Sequence, residues 1–190
     1  MKIILIRHAK VLLESKEKIS ASQMNIWVEK YNNAPIDTTL PSKEVIQRIN
    51  DAHFVLASSL SRTVDSLEVI GVEPIEENSL FDEIDLPKTQ GFLLKLSPKM
   101  WLVLLRLMML VGFGKKSKVY TEAKHRAKRA SDHLIHLANK HESIALMGHG
   151  GMHWLLSREL ERLGWECIEH SNGSKNWGFK VYHIHSKNET

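Results

Sequence analysis

The sequence predicts an α/β fold of three α/β/α layers, with a mainly parallel sheet. Three short apolar runs carry this expectation: residues 3–6, 53–58 and 143–147. Each is too brief for a stable helix and reads as a buried strand, the first being rich in β-branched isoleucine. Segments with helical spacing separate them, and strands alternating with helices argue for a sheet covered on both faces. Right-handed crossovers then place the strand carboxyl ends along one edge. That edge is where open α/β sheets bind ligands.

Taken in order, the first run ends in two polar residues, Arg7 and His8. Residues 10–18 are mixed and read as a surface loop. Met24, Trp27, Val28 and Tyr31 recur at helical spacing, with Ser20 or Ser22 as a cap. Residues 32–41 hold turn formers and two prolines, so they form a loop. Ser42 caps a short helix that buries Val45, Ile46 and Ile49. After the second run, a helix over 59–70 lines Val64, Leu67 and Ile70 on one face, carries Arg62 in its first turn and stops at Gly71.

Residues 72–75 read as a short edge strand, because Pro74 would break a central ladder. Residues 76–87 are acidic and loop-like. Within 91–114, the stretch 101–111 is apolar on nearly every side, yet shorter than the roughly 20 residues a bilayer demands and interrupted by Arg106. A basic loop at 115–118 follows. A long amphipathic helix at 121–140 turns Ala123, Ala127, Ala130, Leu134 and Leu137 inward. The third strand ends in Gly148-His149-Gly150-Gly151, and Met152, Leu155, Leu156, Leu160 and Leu163 form the inner face of the next helix, which Gly164 stops. After a polar loop, residues 179–184 alternate as a half-exposed strand.

The totals bound the class. The 190 residues suffice for one domain with a sizeable core. Hydrophobic residues make up 43% and charged residues 25%, which excludes a disordered chain. The net charge of +4 suits anionic ligands but is too small to imply nucleic acid. The single cysteine, Cys167, excludes an internal disulfide and a multi-cysteine metal site. With a first strand at the amino terminus and no leader-like segment, the expected location is the cytoplasm.

The three buried strands deliver Arg7-His8, Ser58 followed by Arg62, and Gly148-His149 to one edge. Arginine grips a phosphate or carboxylate in two places, and histidine works as acid, base or nucleophile near neutral pH. The glycines beside His149 allow close backbone approach, and the helix that follows offers free N–H groups. The set suits a tetrahedral oxyanion, of which phosphate is the obvious one.

These residues carry a resemblance. Arg7-His8 after Ile-Leu-Ile, Ser58-Ser59-Leu60-Ser61-Arg62-Thr63, and Gly148-His149-Gly150 resemble the three motifs of the histidine phosphatase superfamily, in the branch of the cofactor-dependent phosphoglycerate mutases. The resemblance implies a phosphoglycerate mutase-like fold over 1–190, with an insertion or cap at about 87–120. It implies that His8 is the nucleophile and forms a phosphohistidine. Arg7, Arg62 and His149 would hold the phosphoryl oxygens, and no metal or cofactor would be needed. A general acid must protonate the leaving oxygen. The segment Leu80-Phe81-Asp82-Glu83-Ile84 resembles the family's acid segment, which makes Glu83 the first choice, with Asp82 and Asp85 as alternatives.

The departures narrow the reading. Ala9 stands where the family has glycine, the polar run that mutases carry after the first motif is missing, and Leu86-Pro87-Lys88-Thr89-Gln90-Gly91 replaces the usual continuation after the acid. These losses argue against a mutase and favour a phosphomonoesterase acting on a small-molecule phosphate ester. The alternatives are a phosphohistidine protein phosphatase, which the long insertion disfavours, and a non-catalytic member that binds a phospholigand or a partner. The apolar stretch 92–113 reads as a cap helix packed on its own domain or across a homodimer, or as the wall for an apolar substrate or a peripheral membrane contact. His133 and His136 lie three apart on their helix, but no acidic or cysteine residue stands at ligand spacing, so no metal site is expected. His153 reads as structural or exposed. Trp177 reads as a packing residue, on a loop within reach of the pocket.

Overall fold

A computed structural model describes residues 1–13, 17–86, 94–111, 118–171 and 175–184. Their centre is a six-stranded sheet. Its strands are β1 (Lys2–Arg7), β3 (Phe54–Ala57), β4 (Glu76–Glu77), β6 (Ser143–Gly148), β7 (Glu166–His170) and β8 (Phe179–His183), in the spatial order β4-β3-β6-β1-β8-β7. β4, β3, β6 and β1 run parallel. β8 lies antiparallel to β1, and β7 antiparallel to β8.

The period-two pattern of β1 divides the core. Ile3 and Leu5 face the layer formed by α5 (Lys118–His141) and α6 (Gly150–Arg162), where Leu134, Leu156 and Leu160 are fully buried. Ile4 and Ile6 face α2 (Lys43–Asn50) and α3 (Ser61–Val69), packing on Val45, Ile49 and Leu67. Strands buried on both faces read as continuous apolar runs, which is why β1, β3 and β6 are legible in the sequence.

A satellite packs beside these layers. β2 (Ile19–Ser20) pairs antiparallel with β5 (Lys95–Leu96), and α1 (Ala21–Asn32) packs against α4 (Pro98–Val111). Ser20 caps α1 through a capping box with Gln23. Trp101 and Leu105 are buried against Ala21 and Met24, and the Trp101 indole N–H donates to the Ile19 carbonyl at 2.8 Å. The apolar stretch is thus a helix with one buried stripe, while Met100, Val103 and Leu107 on it stay exposed. Residues 92–93 and 112–113 of that stretch and 115–117 of the basic loop lie outside the described residues, and Lys118 belongs to α5. No helix among the described residues is long and apolar enough to cross a membrane.

Four expectations need correction. The edge strand is not 72–75 but Glu76–Glu77, because Pro74 brings no N–H and the ladder with β3 starts only where Ile75 N–H donates to the Val55 carbonyl at 2.8 Å. Residues 76–87 are therefore not all loop: β4 is followed by a 3₁₀ turn at Ser79–Phe81 that buries Phe81. The loop expected after Gly164 contains β7, whose residues are all exposed and carry no periodic signal. The stretch read as a surface loop after His8 buries Val11, which bridges to Ile36.

Candidate active site

The parallel register sets Arg7 beside Gly148, and β3 flanks β6 on its other side. Arg7-His8, Ser58 and His149 therefore leave the sheet at neighbouring strand ends. α3 begins three residues after Ser58, and its first turn presents Arg62 to the same place, only 2% exposed.

His8 is almost fully buried. Its Nδ1 lies 2.6 Å from the Ala9 carbonyl oxygen. A carbonyl only accepts, so Nδ1 carries the proton and Nε2 keeps its lone pair. Burial first, then the Arg62 guanidinium, holds the His8 pKa down to about 3, against the raising effect of the Ala9 hydrogen bond. The ring is neutral at pH 7, in the form a nucleophile needs.

The backbone at His8 is pinned from several sides. His8 N–H donates to the Gly148 carbonyl at 3.1 Å, and Asn176 Nδ2 donates to the carbonyls of His8 and Ala9 at 2.9 Å. Ala9 N–H donates to Ser66 Oγ at 2.9 Å, and that hydroxyl donates to the Arg62 carbonyl at 2.5 Å. Trp177 adopts φ 60°, an unfavourable region for a bulky residue, and donates its N–H to the Arg7 carbonyl at 3.0 Å. Its half-buried side chain packs on the apolar clusters beside β1. Sequence reasoning missed Ser66 and Asn176. A serine four residues after Arg62, on the inner face of α3, was the available signal for the first.

His149, the N-cap of α6, is fully buried, with its ring 5.2 Å from that of His8. Ser58 Oγ stands 2.6 Å from His149 Nε2 and 3.1 Å from Thr63 Oγ1. His149 Nδ1 is buried without a partner among the described residues. Burial, then Arg62 and His8, drives the His149 pKa far below its ordinary value, so this ring is neutral too. Arg62 is the buried cation of the group. Burial lowers its pKa, while Tyr31, Glu83 and Asp82 work the other way. Its Nη1 donates to Asn32 Oδ1 at 2.8 Å and its guanidinium stands 5.4 Å from the Tyr31 ring centre. A guanidinium keeps its charge in such surroundings.

Glu83 sits at the start of α6. Its Oε1 accepts from Met152 N–H at 3.1 Å and its Oε2 from Gly151 N–H at 3.3 Å. Arg106 Nη2 of α4 lies 3.6 Å from Oε2. A Cβ at Gly151 would collide with the Glu83 carboxylate, so glycine is what lets the acid in. This corrects one expectation: two N–H groups that the sequence left for a guest oxyanion are taken by Glu83. Asp82 is engaged elsewhere, accepting from the Ser59 N–H and hydroxyl at 2.9 Å. Asp85 is exposed.

Two other histidines have defined surroundings. His133 Nε2 lies 2.8 Å from Glu76 Oε1, so it has an acidic partner, brought from β4 rather than from its own helix. His153 is buried, and its Nε2 abuts Gly148, where an added Cβ would come within 2.5 Å. Among the described residues no group of three or more histidine, cysteine, aspartate or glutamate side chains is placed to hold a metal ion.

No protein-family model matches the chain, and no curated protein matches it in sequence. Among solved structures it is similar to the crystal structure of phosphoserine phosphatase from Entamoeba histolytica in complex with 3-phosphoglyceric acid, at 17% identity and a TM-score of 0.56, over 100% of this chain and 97% of that one. It is also similar to a mutant of the same phosphatase in complex with phosphoserine, at 15% identity and a TM-score of 0.53, over 95% of this chain and 89% of that one. At this identity the likeness concerns the fold, and the chain has the phosphoglycerate mutase-like α/β fold.

Proposed function

We propose that this chain is a phosphatase of the histidine phosphatase superfamily, hydrolysing a phosphate monoester through a phosphohistidine on His8. The observation that carries the reading is the state of His8: a buried neutral ring whose Nδ1 proton is committed to the Ala9 carbonyl, with Arg62 close enough to depress its pKa. A fixed, unprotonated Nε2 beside a buried cation suits attack on a phosphoryl dianion. Generic packing does not call for that combination.

The steps follow from the chemistry. The Nε2 lone pair attacks phosphorus, and the bond from phosphorus to the leaving oxygen breaks. Glu83, as the carboxylic acid, gives that oxygen its proton. Water then attacks the phosphohistidine, Glu83 takes the water proton, the N–P bond breaks and phosphate departs. Arg62, Arg7 and His149 hold the non-bridging oxygens, whose charge shifts as the phosphoryl group moves between His8 and oxygen. A single domain of 1–190 with its cap between 87 and 120 belongs to the same reading.

The test is phosphate release from 4-nitrophenyl phosphate by the wild type and by His8→Ala, with alkaline quenching, which a phosphohistidine survives, to look for an acid-labile phosphoenzyme. Wild-type turnover that vanishes in His8→Ala, together with a phosphoenzyme formed only by the wild type, is the expected result. Turnover surviving the loss of His8 would overturn the mechanism.

A further inference from the structure

A cavity of about 1000 Å³ opens at the carboxyl edge of the sheet, on the side of α5 and α6. It is not the His8 pocket. Arg7 and Glu83 line it, whereas His8, Arg62 and His149 do not. It thus adjoins the phosphoryl site at the group that would protonate the leaving oxygen, which is where the leaving group of an ester must lie. Its volume is at the upper end for small-molecule sites and far exceeds what a three-carbon leaving group fills.

The walls are both apolar and cationic. Leu5 and Lys180, register partners across β1 and β8, form the sheet side, and Tyr120 and Trp154 line the helical side. Arg7, Arg106 and Lys180 face a single acidic residue, Glu83, among the described lining. Lys180 lies between two buried residues, Phe179 and Val181, and donates from Nζ to Ser157 Oγ at 3.2 Å. No acidic side chain of the described residues pairs with it. A half-buried ammonium with only a neutral partner gains most from an incoming anion. His153 lines the same cavity and is 7% exposed, and its Nε2 has no partner among the described residues. Arg7 and Lys180 line the cavity together with this ring, and their charges work with its burial to disfavour its protonation.

We propose that the cavity receives the leaving group of the substrate, an apolar body bearing a second anionic group such as a carboxylate, and that Lys180 is the residue that selects for that anion. This rests on the reading of His8 as the phosphoryl acceptor only for the word substrate. The cavity and its preference for an apolar anion stand independently of turnover.

The experiment separates the two. Calorimetric titration of 6-hydroxy-2-naphthoate and of 2-naphthol onto the wild type, Lys180→Met and Lys180→Arg measures the preference for the anion without chemistry. Hydrolysis of 2-naphthyl phosphate and of its 6-carboxylated counterpart measures it during turnover. The wild type is expected to bind the naphthoate at least tenfold more tightly than the naphthol and to show at least a tenfold lower KM for the carboxylated ester. Lys180→Met should level both comparisons, and Lys180→Arg should keep most of the preference. Circular dichroism checks that both variants fold. Absence of naphthoate binding, equal affinity for the two compounds, or a preference that survives in Lys180→Met overturns the proposal. Preferential binding with no hydrolysis of either ester upholds the cavity assignment and sinks the phosphatase reading instead.

Discussion

Ser58 Oγ lies 2.6 Å from His149 Nε2, joining the end of β3 to the N-cap of α6 through one hydrogen bond. Both residues are fully buried. The contact occupies Nε2 and leaves Nδ1 as the free nitrogen of the ring. A hydroxyl, at the position where a strand hands over to a helix, therefore decides how a catalytic candidate 91 residues away is oriented.

Ser58→Ala should accordingly impair both stability and chemistry. The substitution leaves buried His149 Nε2 unpaired, a loss of about 1–3 kcal/mol in unfolding free energy. It also frees the ring to rotate, so kcat/KM should fall about 10–100-fold, the range for a mispositioned group. Denaturant unfolding and steady-state kinetics on the purified variant check both. Unchanged kcat/KM would mean that the ring orientation is held by packing alone.

On the proposed mechanism, Glu83→Gln removes the proton that the leaving oxygen needs. With an alkyl phosphate, kcat should fall by about 10²–10⁴. With 4-nitrophenyl phosphate, whose leaving group departs unaided, the first step should be far less affected. Asp82→Asn should leave this leaving-group dependence intact, because Asp82 is bound to Ser59. Equal losses on both esters in Glu83→Gln would assign Glu83 a binding role instead.

Gly151→Ala should imitate Glu83→Gln without replacing any ionisable group. The new Cβ collides with the Glu83 carboxylate and meets Ile84 Cδ1 at 3.4 Å, so the acid must leave the start of α6. The same leaving-group dependence is expected in a folded protein. Gly148→Ala instead presses on buried His153 and should lower stability. Kinetics and thermal unfolding distinguish the two glycines.

The buried histidines make stability depend on pH. In the unfolded chain they protonate near 6.5, whereas His8 and His153 in the folded chain do so only near 3, chiefly because burial penalises the charged ring. Between those values the unfolded state binds more protons, so stability rises with pH and is lost as pH falls. Each ring should contribute about 1.4 kcal/mol per pH unit below 6.5. Urea midpoints measured from pH 7 to 4 should fall steeply, and the fall should be shallower in His153→Gln.

Activity should be less sensitive than stability over the same range. An ordinary histidine would lose about 25-fold of its neutral form between pH 7 and 5. With its pKa near 3, His8 keeps its lone pair throughout. The kcat/KM profile, which reports the free enzyme, should show no such loss once the ionisation of the ester is allowed for.

Much of the fold was legible because the strands that matter are buried on both faces. β1, β3 and β6 are short apolar runs whose polar residues begin where the sheet ends, so Arg7, His8, Ser58 and His149 could be placed on one edge from the chain alone. Ser20, Ser42, Gly71 and Gly164 marked helix ends by local backbone chemistry. β7 was invisible because an exposed edge strand needs only the backbone of β8 for pairing and imposes no pattern on its side chains. β2 and β5, two residues each, leave no periodic signal at all.

The sequence by itself determined which residue types reach the carboxyl edge, since burial and chain direction are written into apolar runs and their ends. Only the tertiary structure decided their chemical state. His8 is neutral because of burial and Arg62, and its free nitrogen is Nε2 because Ala9 takes the proton of the other. Glu83 stands apart from Asp82 and Asp85 because the start of α6, 68 residues further on, holds its carboxylate. Lys180 lines the cavity with a neutral hydroxyl, Ser157, as its partner because β8 runs beside β1 under α6. Protonation, orientation and pairing depend on neighbours distant in the chain, and their placement is a property of the packed molecule rather than of any local stretch.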